Sequence, residues 1–340
     1  MSTQLHIPKP RIEDPRNAPT LRWGIMGPGR IAGDFASSLR THTNQVLAGV
    51  GSRSGARGEN FAREHHIEHS YESYEALASA EDIDIVYVAT PHPFHVECAR
   101  IALESGKHVL VEKPLAINAA EAEALSALAR ERGLFAMEAM WARFTPAADV
   151  IRQLLENGAL GELQYFRADL GEYFAPEPGA RLFDPELGGG SLLDLGVYLL
   201  AYDAFVFGGA PDQIDVSGNR AVTGVSADVA LTLRHGAAIS QLFTTLDART
   251  PTEAFLKGAN AVLEISAPFY APSALTLRAN DASSAVTERY AVRTQADGLC
   301  YEAAEAARCV AEGRTESRLH PLEDTIGTLR MLDRAEAMLD

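Results

Sequence analysis

Apolar residues in this chain follow two rhythms. Up to about residue 140, short unbroken apolar runs alternate with stretches whose apolar positions recur every three to four residues. The runs at 21–26, 45–50, 83–89, 108–111 and 134–138 read as strands; the intervening stretches at about 31–40, 58–65, 94–105 and 119–132 read as helices, the last closed by Gly133. Continuous apolar strands separated by helices predict a parallel, doubly wound sheet, an α/β fold. After about Trp141 the rhythm changes. A helix at 145–157 leads into longer runs that alternate apolar and polar at 163–172, 213–222, 227–234, 238–246, 253–257, 261–266, 275–279 and 286–292. Arg234-His235-Gly236 suits a hairpin turn. This half predicts an α+β domain with a large, mostly antiparallel sheet, covered by helices at 191–207, 299–312 and 321–339.

At 340 residues the chain is long for one core. We divide it into an arm at 1–20, a dinucleotide-binding domain at 21–140 and a substrate and oligomerisation domain at 141–340. The formal net charge of −16 argues against nucleic acid and against anionic membrane surfaces. An anionic cofactor is still compatible, because one pocket can be basic on an acidic protein. No apolar stretch reads as a membrane span. The arm, with Pro8, Pro10, Pro15 and Pro19, lacks the apolar core of a signal peptide and reads as loose. Cys98, Cys300 and Cys309 are too scattered for a disulfide framework or a zinc site, so a reducing cytoplasm is the expected compartment. His65-His66-Ile67-Glu68-His69 reads as a solvated run at a helix end, and no metal site is expected.

Three segments carry chemistry. Gly27-Pro28-Gly29-Arg30-Ile31-Ala32 fits G-x-G-x-x-A between a strand and a helix. Glycines there permit a tight turn and close approach of a pyrophosphate to the helix N-terminus. The second strand ends in Gly51-Ser52-Arg53-Ser54, where a protein preferring NAD usually carries a carboxylate. Arg53 can pair with a 2′-phosphate and Ser52 can hydrogen-bond to it, which favours NADP, with NAD still possible; Arg57 could serve instead, and a solvated loop arginine is the plain alternative. His108-Val109-Leu110-Val111-Glu112-Lys113-Pro114 is a short buried strand ending in a charged pair, and open α/β sheets place ligands at such ends.

With these motifs placed, the chain resembles the glucose-fructose oxidoreductase/inositol dehydrogenase/rhizopine catabolism (Gfo/Idh/MocA) family, over nearly everything from Leu21 onward. Thr90-Pro91-His92-Pro93-Phe94-His95, Glu138-Ala139-Met140-Trp141-Ala142-Arg143-Phe144 and Gly188-Gly189-Gly190-Ser191-Leu192-Leu193-Asp194-Leu195-Gly196-Val197-Tyr198 carry a closer likeness to its dimeric dihydrodiol dehydrogenase and sugar reductase branch. The resemblance implies a Rossmann domain followed by a domain with an open-faced sheet that commonly forms a subunit interface, hence a homodimer or homotetramer. It matches Lys113 to the family's lysine. It matches Asp194 to the first residue of D-x-x-x-H, but position 198 is tyrosine here, so the histidine's role does not transfer directly. Tyrosine at that position agrees with the dihydrodiol dehydrogenase branch.

Asp194 and Tyr198 stand four residues apart on an expected helix and so share a face. A tyrosine titrates near pH ~10, too high for easy proton transfer at neutrality, and an ammonium such as that of Lys113 would lower it. The resemblance further implies that Glu112, Thr90, His92 and His95 lie near the cofactor, although His95 would equally suit a ligand-free helix start. Trp141 and Arg143 are substrate candidates, with bracing as the alternative for Arg143; Arg167 and Phe174 are weaker ones. The expected activity is hydride transfer between NADP and a carbohydrate, polyol or cyclic diol, a small molecule. A non-catalytic dinucleotide sensor and an NAD-assisted glycosidase are the competing classes.

Overall fold

A computed structural model describes residues 5–177, 179–281, 285–292 and 298–339. The chain begins β1 (Arg22–Met26), α1 (Arg30–His42), β2 (Val46–Gly51), α2 (Gly55–His65), β3 (His69–Tyr71) and α3 (Tyr74–Ala78). It continues β4 (Ile85–Val88), α4 (His95–Glu104), β5 (His108–Glu112), α5 (Ala119–Arg132) and β6 (Ala136–Ala139). Then follow α6 (Pro146–Glu156), β7 (Leu163–Gly171), α7 (Val197–Phe207), β8 (Gln213–Arg220), β9 (Ser226–His235) and β10 (Ala238–Thr245). The chain closes with β11 (Ala254–Gly258), β12 (Ala261–Ile265), β13 (Ala274–Ala279), β14 (Val286–Ala291), α8 (Leu299–Ala311) and α9 (Leu322–Met338).

Two compact units result. One holds Glu13–Phe144 and Gln295–Ile326; the other holds Met1–Ile12, Thr145–Thr294 and Gly327–Asp340. The units change at Phe144/Thr145. Two segments depart from a linear division: 298–326, with α8, joins the dinucleotide unit, and residues 5–12 join the other.

The first unit is built on a six-stranded, all-parallel sheet in the order β3-β2-β1-β4-β5-β6. That is the doubly wound order whose direction reverses between β1 and β4, which is where such sheets bind ligands. Strands buried on both faces must be apolar throughout: Ile85, Val86, Tyr87 and Val88 of β4 are all fully buried. Side chains cap several helices: Asn118 accepts from the Glu121 N–H at α5, and Ser73 from the Ala76 N–H at α3. Helix α1 differs, because Gly29 at its N-cap has no side chain to offer.

The second unit carries an eight-stranded sheet, β14-β13-β12-β11-β7-β10-β9-β8, antiparallel except between β7 and β10. Its strands alternate. Phe166, Ala168 and Leu170 of β7 are buried, and Phe166 stacks on Tyr202 of α7 with ring centroids 6.0 Å apart. The intervening Tyr165 and Arg167 take the opposite, open face. The expected hairpin is present: His235 pairs with Ala238, and Gly236 takes the turn at φ +61°. Helix 191–207 is not uniformly α. Leu192–Gly196 forms a π-helical turn ahead of α7. The stretch Pro185–Phe207 is long and apolar enough for a membrane span, contrary to the sequence expectation, but 72% of its most apolar window is buried in the fold. Its apolar faces serve the core.

The arm, expected to be loose, is held at Ile7 and Arg11; its first four residues lie outside the described part. Ile7 is buried and its N–H donates to Glu288. The backbone N–H and guanidinium of Arg11 both bond to the buried carboxylate of Asp149, at 2.6 and 2.8 Å.

Candidate active site

The glycine turn follows β1. Gly27 has φ +92°, and a Cβ there would stand 2.9 Å from the Ala89 carbonyl oxygen, so only glycine fits. At Gly29 the nearest atom to such a Cβ would be 4.0 Å away, which leaves the approach open. The first bond inside α1 runs from the Gly33 N–H to the Gly29 carbonyl at 3.1 Å. The N–H groups of Arg30, Ile31 and Ala32 therefore have no acceptor within the helix, and its dipole is positive at that end. This cradle fits a dinucleotide pyrophosphate, with Gly27, Gly29, Arg30 and Ile31 in the positions expected to hold it.

Arg53 lies just beyond β2, exposed, with its guanidinium carbon 5.2 Å from the centre of the Phe94 ring. Stacking on a ring fixes a long side chain that water would otherwise leave mobile. Ser52 is buried, and its hydroxyl accepts from the Ser54 N–H at 3.2 Å.

At the ends of β4 and β5 the structure gathers Thr90, His92, His95, Glu112 and Lys113. Thr90, His92 and Glu112 are buried, Lys113 is half-buried, and the Lys113–Pro114 bond is cis. His95 is fully buried, its Nδ1 2.8 Å from the Pro114 carbonyl and its Nε2 2.7 Å from the Thr90 carbonyl. Carbonyls only accept, so a neutral ring donates to one of them and a protonated ring to both. Burial pushes the pKa of His95 down, against the pull of the two carbonyls and of Glu138. Both ring nitrogens thus face carbonyls of their own unit. Glu112 accepts from the Tyr87 hydroxyl, and burial raises its carboxyl to about 7.

Sequence reasoning missed Glu138. It stands in β6, 1% exposed, a carboxylate in an otherwise apolar strand, and that contrast was the available signal. One oxygen accepts from the Leu115 N–H at 3.0 Å; the other faces His320 Nε2 at 2.9 Å and the Thr325 hydroxyl at 3.1 Å. Burial works to raise its pKa, but His320 and these donors outweigh it and hold the carboxyl below its usual range. Arg143 is 5% exposed and donates to the Leu319 carbonyl at 3.1 Å and to Asp324 at 3.0 Å, two bonds within its own unit. Trp141 is half-buried in a short 3-10 turn.

The second unit holds Asp194 on the π-helical turn and Tyr198 one turn later on α7. Such π-turns recur at functional sites. The Asp194 carboxylate takes Arg181 at 2.9 Å, a partner with no spacing signal in the sequence, and the Tyr198 ring lies 5.3 Å from that of Tyr270. Arg167 does not join this pair. It lies on the open face of β7, opposite the face that packs α7, and lines a groove of about 340 Å³ there. Phe174 is half-buried, its N–H on the Leu246 carbonyl at 2.9 Å.

A glycine cradle at the switch point of a parallel sheet, with a lysine at a strand end, is the site of a dinucleotide-binding protein, and the relatives it matches mark the chain as an NAD(P)-dependent dehydrogenase acting on CH–OH groups. The chain belongs to the GFO/IDH/MocA family: residues 21–140 match its oxidoreductase domain with an NAD-binding Rossmann fold, and residues 149–264 match its C-terminal domain. Among similar proteins, trans-1,2-dihydrobenzene-1,2-diol dehydrogenase of Xenopus tropicalis is 34% identical over 92% of this chain and 96% of its own length. The enzyme of that name from Sus scrofa is 36% identical over 90% of this chain and 92% of its own. The crystal structure of KijD10, a 3-ketoreductase from Actinomadura kijaniata in complex with NADP and TDP-benzene, superposes with a TM-score of 0.81 at 26% identity, covering 94% of this chain and 98% of that one.

Proposed function

We propose that this chain is an NADP-dependent oxidoreductase interconverting C–OH and C=O in a sugar, polyol or cyclic trans-diol. What carries the reading is the presence, in one chain, of an open dinucleotide turn together with Lys113, Asp194 and Tyr198 as acid–base groups. The names of the relatives, which act on dihydrodiols or are ketoreductases, support the substrate class. Arg53, stacked on Phe94 at the ribose-recognition position with no acidic neighbour in Ser52 or Ser54, supports the preference for NADP.

The nicotinamide supplies a two-electron hydride acceptor or donor. In oxidation, hydride leaves the carbinol carbon, the O–H bond breaks and the C=O bond forms. Tyr198 as phenolate takes the hydroxyl proton; in reduction it returns a proton to the oxygen. Lys113 is assigned to the cofactor side of the reaction, and Asp194 is steadied by Arg181 at 2.9 Å.

The test is a panel of aldoses, deoxy-sugars, polyols and trans-dihydrodiols, scored by NADPH absorbance and repeated with NAD. Turnover on at least one class with preference for NADP is expected, and Arg53→Asp should reduce NADP affinity by about 1.5–3 kcal/mol. Equal use of NAD and NADP by the unmodified protein contradicts the cofactor assignment. Tight cofactor binding without turnover on any member contradicts the catalytic one.

A further inference from the structure

Where β5 ends, the backbone turns through Lys113, Pro114 and Leu115, and three polar atoms of that turn each meet a buried side chain. The Lys113 N–H donates to Glu112 at 3.2 Å, the Pro114 carbonyl faces His95 Nδ1 at 2.8 Å, and the Leu115 N–H donates to Glu138 at 3.0 Å. Loop backbone is ordinarily satisfied by water. Here the holders are 7%, 0% and 1% exposed, so water does not readily replace a lost bond.

The holders are themselves held. His95 spans to the Thr90 carbonyl at 2.7 Å, tying the loop after β4 to the loop after β5. Glu138 is fixed from behind by His320 and Thr325, and Glu112 by the Tyr87 hydroxyl. The half-buried Lys113 therefore projects from a backbone whose neighbours on both sides are pinned from inside one unit.

We propose that His95 and Glu138 are positioning residues for Lys113, acting through the backbone of this turn rather than by touching cofactor or substrate. The inference rests on the reading of Lys113 as a reacting group. In the full-length protein, His95→Leu removes the ring nitrogens that meet the Pro114 and Thr90 carbonyls and is expected to lower kcat by about 10–100-fold with KM for the substrate little changed, the scale of an ångström-sized misplacement. His95→Gln keeps one donor and should recover part of the loss. His95→Leu combined with Lys113→Met should be no slower than Lys113→Met alone, because groups acting as one unit do not lose additively. The pH–rate profile of His95→Leu should move in the direction that Lys113→Met moves it. Losses that multiply in the double variant, or wild-type kcat in His95→Leu beside a slow Lys113→Met, overturn the inference. Full activity in Lys113→Met overturns the catalytic reading instead, and that single variant tells the two failures apart. If His95→Leu does not fold, the same cycle with His95→Gln carries the same outcomes.

Discussion

Glu112 and Glu138 lie near the ends of neighbouring strands, both buried, yet their carboxyls are driven in opposite directions. Glu112 has the Tyr87 hydroxyl and the Lys113 N–H, which do not offset burial, and it rises to about 7. Glu138 has the donors of His320, Leu115 and Thr325, and they more than offset burial. The consequences for stability have opposite signs. Glu138 stabilises the fold above the ordinary carboxylate pKa, and that contribution is lost as pH falls through its lowered value. Glu112 binds a proton more tightly folded than unfolded, so its effect lowers stability as pH rises from about 4.5 to about 7, by roughly 3 kcal/mol in all. Glu112→Gln should remove that slope, and denaturant titrations at pH 5 and pH 8 would measure it. An unchanged slope in the variant would contradict the assignment. The polar sequence could propose Glu112 and Lys113 from their place at a strand end. It could not show which atoms hold them, because the partners His95, Glu138 and His320 come from other elements.

At the scale of elements, the strands buried on both faces were legible as apolar runs, and the sheet of the second unit as alternation. β3 was not, because His69, Ser70 and Tyr71 are polar and the strand is three residues long. The placement of α8 with the dinucleotide unit was equally invisible, since periodicity says that a helix covers something but not what it covers. The arm was misread for a related reason. Its prolines suggested looseness, whereas what holds it is the ion pair of Arg11 with Asp149, which are 138 positions apart in sequence. The face that Arg167 takes was legible in advance, since its neighbours Phe166 and Ala168 claim the buried face of β7 and the pleat sends residue 167 the other way. The π-turn at Asp194 has no marker in the residues that form it.

At the scale of the whole molecule, the open sheet face bears Tyr165, Phe243 and Phe255, with Tyr165 and Phe255 in edge contact at 6.2 Å and Phe243 38% exposed. These aromatics leave the face partly apolar and uncovered by helices, which suits contact with a second copy, and we propose a homodimer formed through it. Sedimentation at micromolar concentration should give a dimer, and Phe243→Glu should shift it toward monomer; a monomeric wild-type protein contradicts the assignment. The proton-transfer role proposed for Tyr198 is tested most directly by Tyr198→Phe. The substitution keeps the ring and its packing against Tyr270 and deletes only the hydroxyl. Steady-state turnover with the best substrate of the panel, beside a fluorescence titration of NADPH, should show cofactor affinity nearly intact and kcat lower by about 10²–10⁴-fold. Retention of most of the turnover by Tyr198→Phe, with loss in Lys113→Met, would make the lysine the proton carrier and contradict the role given to Tyr198.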